Sequence, residues 1–361
     1  MAGNFVQLHN HTHYSLLDGA SKVPDLVKRV KELGMPAVGI TDHGNMHGAY
    51  ELWRAAVDSG VKPIIGIEAY VTPETARQDK TRVSWDTNWT PVPGHARNPD
   101  DVSGGGLITH LTMWAENDEG LVNLIKASSV ANLEGRVMRY PRMDKEVLST
   151  YSKGVIASSG CPSGIIQTRL RLGQFDEALR AAGEFQDIFG KDNFYIELMD
   201  HGLSIESKVT GDLLTIAKKL GAPLLATNDS HYVMEADKDA QDAMLCINSG
   251  ATLDDPNRFK FEGSGYYIKS AEEMRELFKD HPDACDNTLE IAERCNVIFD
   301  DHEDGAFMPQ FDCPEGWDET SLFLKKVEEG LEKRYDGNPP MEVLKQADYE
   351  CGVICQMQFC G

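Results

Sequence analysis

Nine side chains of metal-ligating type are spread over the first 231 residues in similar local settings: His9, His11, Asp18, His43, Glu68, His110, Cys161, Asp229 and His231. Most follow an apolar run that reads as a strand. His9 and His11 flank one residue at such a strand end, so both project to the same side and suit two bonds to one ion. Neutral imidazole is a good ligand for zinc or manganese-class cations. Glu68 stands inside the apolar run 64–71, where a charge is costly unless it is paired or binds metal, and its carboxylate can bridge two ions. Asp229 and His231, in Thr227-Asn228-Asp229-Ser230-His231, repeat the two-residue spacing. Cys161, in Ser158-Ser159-Gly160-Cys161-Pro162, adds a soft thiolate that favours zinc. The set predicts metal-assisted cleavage of a phosphate ester. Closely spaced cations would activate water near neutral pH and offset charge around phosphorus, with no side-chain nucleophile.

Each residue also has a plainer reading. His43 in Thr41-Asp42-His43-Gly44 reads as a turn residue, Asp18 in Leu17-Asp18-Gly19 as a turn aspartate, and Cys161 as a small buried hydrophobe. The shared strand-end position outweighs those readings. His13, His47, His95, His281 and His302 break the pattern and read as surface or local hydrogen-bonding groups. His201 follows the sixth strand and reads equally as a substrate-phosphate contact or a satisfied loop histidine. Asp42 and Asn228 sit beside ligands and are expected to orient imidazoles.

The elements that would position these groups alternate. Strand-like runs are expected at 5–8, 37–40, 64–71, 107–113, 154–157, 194–198 and 224–227, most followed by an amphipathic helix. Ser21 is the expected N-cap of the first helix, with Pro24 in its first turn and Gly34 as its stop. Gly60 and Gly221 should close later helices. Seven strands alternating with helices predict a parallel β/α architecture. The absence of Gly-x-Gly-x-x-Gly after the first strand argues against a dinucleotide fold. Ligands spread over most strands converge only in a closed barrel, where strand ends share one mouth. Residues 73–106, with several prolines, two tryptophans and Gly104-Gly105-Gly106, read as an insertion over the rim. Beyond about residue 250 the alternation fades. Helices are expected at 271–278, 286–295 and 341–359, and an acidic linker at 299–318.

With 41% hydrophobic residues in 361, the chain can bury one large core and part of another domain. No apolar stretch reaches membrane-spanning length, and the start of the chain lacks the character of a signal peptide, so the expected location is cytoplasmic. Eight cysteines make no disulfide scaffold, and Cys351, Cys355 and Cys360 have no histidine nearby, so they read as reduced thiols in a helix. A net charge of −23 predicts weak nucleic-acid binding by this chain alone. Bound metals would neutralise some of that charge, and a neighbouring domain could present only the end of a strand.

The segments Leu8-His9-Asn10-His11-Thr12, Ser15-Leu16-Leu17-Asp18-Gly19 and Thr41-Asp42-His43-Gly44-Asn45 resemble the PHP (polymerase and histidinol phosphatase) domain. With 60–70, Ser159-Gly160-Cys161, 226–232 and Thr252-Leu253-Asp254-Asp255-Pro256, the chain resembles the N-terminal part of the bacterial DNA polymerase III alpha-subunit family over nearly its whole length. The resemblance implies an α/β fold, a distorted seven-stranded (β/α)7 barrel over 1–280. After it, 281–361 would be a linker and the incomplete, mostly helical beginning of the polymerase palm region. It implies three divalent ions, Zn2+ and/or Mn2+. His9, His11, Glu68 and Asp229 would hold the first. Glu68, His110 and Cys161 would hold the second, and Asp18, His43 and His231 the third. A complete ligand set implies 3′→5′ exonuclease proofreading at a DNA 3′ end (the primer strand). The implied partners are the remaining polymerase domains, or a separate polypeptide carrying them, and replisome components such as the sliding clamp; no membrane is implied.

The family runs on into a palm, whereas this chain stops at Gly361 and shows no Asp-x-Asp pair after residue 250, so nucleotidyl transfer is not expected from it alone. Two alternatives stand beside the exonuclease. One is a free-standing phosphatase of the same superfamily acting on a small phosphate monoester, which the polymerase-like segments disfavour. The other is a non-catalytic scaffold that uses the metals only to fold.

Overall fold

A computed structural model of the chain describes residues 5–86, 88–90, 98, 100–101, 104–300 and 311–361. Its strands are β1 (Ala37–Ile40), β2 (Lys62–Val71), β3 (Thr109–Ala115), β4 (Arg142–Met143), β5 (Val155–Ser158), β6 (Phe194–Leu198) and β7 (Leu224–Ala226). They lie in the order β1-β2-β3-β5-β6-β7, with the short β4 on β2. The sheet is mixed rather than wholly parallel as expected: β3 runs antiparallel to both β2 and β5. The excursion 72–108 returns the chain with no crossover helix among the described residues, and without a crossover the next strand runs back. The reversal explains an oddity of the ligand pattern. His110 begins its strand instead of following it, yet reaches the mouth where the parallel strands end.

Residues 5–8, expected as the first strand, meet their neighbours only through single bridges. Gln7 pairs with Val38, and further on Asn10 pairs with Ser230. The Asn10 amide interrupts the ladder by donating to the carbonyls of Gln7 (2.9 Å) and Gly39 (2.8 Å). The segment lies between β1 and β7 and curls the sheet into a distorted barrel.

Side chains alternate across the strands as a period of two requires. Ile65, Ile67, Ala69 and Val71 of β2 face the outer layer of helices, while Ile64 joins Val6, Leu8, Trp114, Ile156, Tyr195 and Leu225 in the barrel interior. Glu68 shares the parity of Ile64 and is fully buried. Gly66, between them, can only be glycine: a Cβ there would lie 2.4 Å from the Met113 carbonyl oxygen.

The helices around the sheet are α1 (Val23–Glu32), α2 (Ala49–Ser59), α3 (Asp118–Glu134), α4 (Lys145–Thr150), α5 (Ile165–Arg171), α6 (Phe175–Phe189), α7 (Ser204–Leu220), α8 (Lys238–Ser249), α9 (Ala271–Leu277) and α10 (Pro282–Arg294). Lys22, not Ser21, occupies the N-cap of α1, and no side chain caps that end; Pro24 in the first turn needs no donor there. Gly60 and Gly221 end α2 and α7 in the left-handed conformation, as expected. α8 follows β7, in keeping with the expected alternation of strands and helices. α10 closes the barrel floor: Ile291, Ala292 and Cys295 join the interior cluster, and Thr288 Oγ1 accepts from the Val6 amide at 3.1 Å. The first compact unit therefore runs through Phe299, beyond the 1–280 expected for the barrel domain.

The described part of the insertion packs Trp85 beneath the Arg169 guanidinium, 4.2 Å from the ring centre. His95 and His302, and residues 301–310 of the expected linker at 299–318, lie outside the described residues. The second unit, Asp300–Gly361, is a pair of helices, α11 (Glu319–Arg334) and α12 (Met341–Gln356); only α12 was expected. None of the described helices is long and apolar enough to cross a membrane.

Candidate metal centre

All nine expected ligands meet at the mouth of the barrel. His9 Nε2 lies 3.4 Å from Asp229 Oδ1 and His11 Nε2 lies 3.1 Å from the same oxygen, so the pair converges as its spacing predicts. Glu68 stands between groups. Its Oε1 faces His110 Nδ1 (3.1 Å) and His9 Nε2 (3.4 Å), while Oε2 faces His43 Nδ1 (2.6 Å) and His11 Nε2 (3.5 Å). His43 Nε2 is 2.9 Å from Asp18 Oδ2, and His231 Nε2 is 3.9 Å from it. Cys161 Sγ lies 3.4 Å from His110 Nδ1. Three triads have ligand atoms close enough to hold an ion: His9/His11/Asp229, His43/Glu68/His110 and His11/His43/His231.

The geometry suits cations better than internal hydrogen bonding. Eight buried ligand atoms face one another or the cluster without a well-directed hydrogen bond: Nε2 of His9, His11 and His231, Nδ1 of His43, both oxygens of Glu68, Asp18 Oδ1 and Asp229 Oδ1. Such orphans are expensive in an interior unless a cation satisfies them.

The outward-facing nitrogens explain why the inward ones are bare. His9 Nδ1 donates to Glu197 Oε1 at 2.7 Å. His231 Nδ1 donates to the Asp229 carbonyl at 2.8 Å. His11 Nδ1 donates to Ser15 Oγ at 2.9 Å; that hydroxyl also accepts from the His43 amide (3.1 Å) and donates to Asp42 Oδ1 (2.7 Å). One hydroxyl proton and two lone pairs are then fully used, so the His11 tautomer is fixed with an Nε2 lone pair facing the cluster. Asp42 thus orients His11 through Ser15 rather than directly. It is itself pinned by the Thr12 amide (2.7 Å) and hydroxyl (2.8 Å).

Electrostatics follow from crowding. Burial, with His43 and His231 alongside, pushes His11 down to about 3, which keeps it neutral. Burial opposes ionisation of Glu68, yet His110 and His43 hold its carboxyl well below the usual range. Asp229, against the same burial, is held far down by His9 and His231, and Asp18 by His231 and His43. Burial and the Glu68 and Asp229 carboxylates raise the Cys161 thiol well above its ordinary value. A bound cation would reverse that last effect and stabilise the thiolate.

His201 is not drawn to the cluster. Its buried ring contacts Glu206 Oε1 through Nδ1 (2.6 Å) and the Asn228 carbonyl through Nε2 (2.9 Å), and stacks on Tyr266 at 4.1 Å. Both nitrogens are engaged, leaving neither for a phosphate. The Asn228 side chain hydrogen-bonds none of the cluster imidazoles. Its amide nitrogen donates to the carbonyls of Gly265 (2.9 Å) and Tyr267 (2.8 Å), and Lys269 Nζ donates to its oxygen at 2.6 Å. These bonds hold the turn in which Asp229 adopts φ +46°, a strained left-handed conformation for a side-chain-bearing residue. Asp229 is kept in place by this brace.

Glu197 is the residue sequence reasoning missed. It is fully buried in β6 and takes hydrogen bonds from His9, from Thr227 Oγ1 (2.5 Å) and from Ser158 Oγ. The signal was present: a carboxylate inside the apolar run Phe194-Tyr195-Ile196-Glu197-Leu198 has the same form as Glu68 in its strand.

Residues 7–201 match the family described as PHP domain. The chain belongs to the PHP domain family. The first of its PHP residues to match, Gln7, lies just before the His9/His11 pair, and the match takes in β1 to β6. The chain is 50% identical over 357 residues to a DNA polymerase III subunit alpha of Mycobacterium leprae, and 49% identical over 357 residues to one of Mycobacterium tuberculosis. Each alignment covers 99% of this chain and 30% of the relative, so the chain spans about a third of the length of the curated relatives it matches. Among solved structures, an amidohydrolase from Chromobacterium violaceum with bound sulfate and no metal is 15% identical, with a TM-score of 0.38. That alignment covers 63% of this chain and 87% of the other.

Proposed function

We propose that this PHP domain is a metal-dependent phosphoesterase within a DNA polymerase III alpha subunit, a 3′→5′ exonuclease that proofreads by hydrolysing phosphodiesters at DNA 3′ ends. The observation that carries the reading is the convergence of nine ligand side chains, eight of whose atoms are buried without a well-directed hydrogen bond. A scaffold without ions would be expected to pair or lose such atoms.

Three divalent ions, zinc and/or manganese, would be held by His9, His11, Glu68 and Asp229, by Glu68, His110 and Cys161, and by Asp18, His43 and His231. Bound there, such ions supply Lewis acidity for water and phosphate. The chain's own residues do the rest. Glu68 presents one oxygen to each neighbouring group, the disposition of a bridging carboxylate. Glu197, Ser15 and the Asp229 carbonyl each hold an outward imidazole nitrogen, so the inward nitrogens are aimed before any ion arrives. Asp18 and His43 line the wall of an open cleft of about 410 Å³, which is the route by which a phosphodiester would approach.

Polymerisation would belong to the palm and fingers of a longer chain or a separate polypeptide, together with replisome partners such as the sliding clamp. The test compares release of mononucleotides from single-stranded DNA with turnover of histidinol phosphate by the metal-loaded chain. Stepwise nucleotide release supports the exonuclease, and turnover of the monoester alone replaces it with a small-molecule phosphatase.

A further inference from the structure

For a chain of net charge −23, the cleft beside Asp18 and His43 has an unexpected lining. Arg136, Arg139 and His47 face it, and Asp18 is the one carboxylate among the residues that line it. Neither arginine has a carboxylate partner among the described residues. Arg136 donates to the Met138 carbonyl (3.4 Å), and Arg139 to the Asn248 side-chain oxygen. Both residues are exposed, and the Arg139 guanidinium lies over the Tyr140 ring at 5.3 Å.

The segment that carries them is held firmly. Val137 and Tyr140 exchange two backbone hydrogen bonds of 3.0 Å around a two-residue turn. Tyr140 packs edge-on against Tyr70 at 5.0 Å, and Tyr70 borders His43 and His110. Asn248 bonds Arg139 and also the carbonyl of Leu17, next to Asp18. The turn that carries both arginines is therefore fixed relative to the ligand cluster, and Asn248 ties Arg139 to it directly.

Across His231 stands a different wall. Phe261 meets the His231 ring edge-on at 4.7 Å, and Phe259 meets Phe261 at 5.8 Å with 63% of its surface exposed. An aromatic pair beside a polar cluster, its outer ring exposed and its inner ring half-buried, suits stacking with unpaired bases, and paired guanidinium groups suit phosphodiesters.

We propose that Arg136 and Arg139 hold the backbone of a single-stranded DNA 3′ end whose last bases stack on Phe259 and Phe261, so that the strand crosses the group formed by Asp18, His43 and His231. The inference rests on the exonuclease reading and names the strand-binding residues that reading requires.

Fluorescence anisotropy of the manganese-loaded chain with a 5′-fluorescein dT8 bearing 3′-terminal phosphorothioate linkages tests it. The R136Q/R139Q double variant should weaken binding about ten-fold and lower the slope of log Kd against log salt by roughly 1.4, at about 0.7 per lost single-strand phosphate contact. F259A/F261A should weaken binding about ten-fold with the slope unchanged. Wild-type affinity and slope in R136Q/R139Q, or failure of the wild-type chain to bind dT8, would overturn the proposal. Turnover of bis(p-nitrophenyl) phosphate by the wild-type chain reads hydrolysis separately. If the diester is cleaved while R136Q/R139Q binds dT8 normally, the strand site is wrong and the phosphoesterase stands. If the diester is untouched while R136Q/R139Q loses affinity and slope, the strand site stands and hydrolysis does not.

Discussion

Glu197 Oε1 accepts a 2.7 Å hydrogen bond from His9 Nδ1 with both side chains fully buried. That bond leaves His9 Nε2 facing Glu68 and Asp229. Loss of such an orienting carboxylate typically lowers metal affinity by about 10- to 100-fold. Glu197→Gln is expected to do so without removing a proposed ligand. A competition titration with a chromophoric chelator reads this directly; wild-type affinity in the variant would show that Glu197 serves folding alone.

Ser15 connects three partners, so its removal should act at two levels. Ser15→Ala strips Asp42 of a donor and frees His11 Nδ1. Leaving such buried groups unpaired should cost roughly 1–3 kcal/mol of stability. Denaturant unfolding of the metal-free chain measures that loss, and the chelator titration should show weaker metal binding as well. A stability within a few tenths of wild type would contradict the saturated-hydroxyl account.

Metal loading should expel protons. Burial disfavours charge on His9, but Asp229 and Glu197 raise its pKa well above the ordinary histidine value. Burial likewise opposes charge on His43, and Tyr70 and Glu68 outweigh it. Cys161 is also held protonated. A raised pKa means the metal-free chain carries these protons at neutral pH, and ligands must give them up to bind a cation. Affinity should therefore rise with pH. Calorimetric titration in two buffers of different ionisation enthalpy should give apparent binding enthalpies that differ in the sense of proton release; equal enthalpies would contradict it.

Arg142 offers a test away from the cluster. Its buried guanidinium donates to the carbonyls of Gly135 (3.1 Å), Leu107 (3.3 Å), Arg77 (2.7 Å) and Asp79 (2.7 Å). It thus ties the rim insertion to the end of α3. Arg142→Met should cost roughly 3 kcal/mol by leaving these acceptors unpaired. Thermal unfolding would read that cost; an unchanged midpoint would show that the carbonyls find other donors.

Much of the mouth was legible because ligand chemistry is written in residue type. His, Asp, Glu and Cys at strand ends stand out, and so does a carboxylate such as Glu68 among apolar neighbours. Strand direction was not legible. Nothing local in Thr109–Ala115 says that β3 runs backwards; that depends on how the 72–108 excursion returns. The break in the first strand was hidden too, since Asn10 acts through carbonyls nearly thirty residues away as well as nearby. His201 read equally as a phosphate contact or a satisfied loop residue, and only its packing against Glu206 and Asn228 separates the two.

The central claim is that the Glu68-centred cluster cuts DNA from the 3′ end. The direct measurement follows a 5′-labelled single-stranded oligonucleotide incubated with the metal-loaded chain, beside a Glu68→Gln variant whose folding is verified by circular dichroism. The wild-type chain should shorten the strand one nucleotide at a time from its 3′ end, and the variant should leave it intact. An intact strand with the metal-loaded wild type, or equal shortening by the folded variant, would contradict the account.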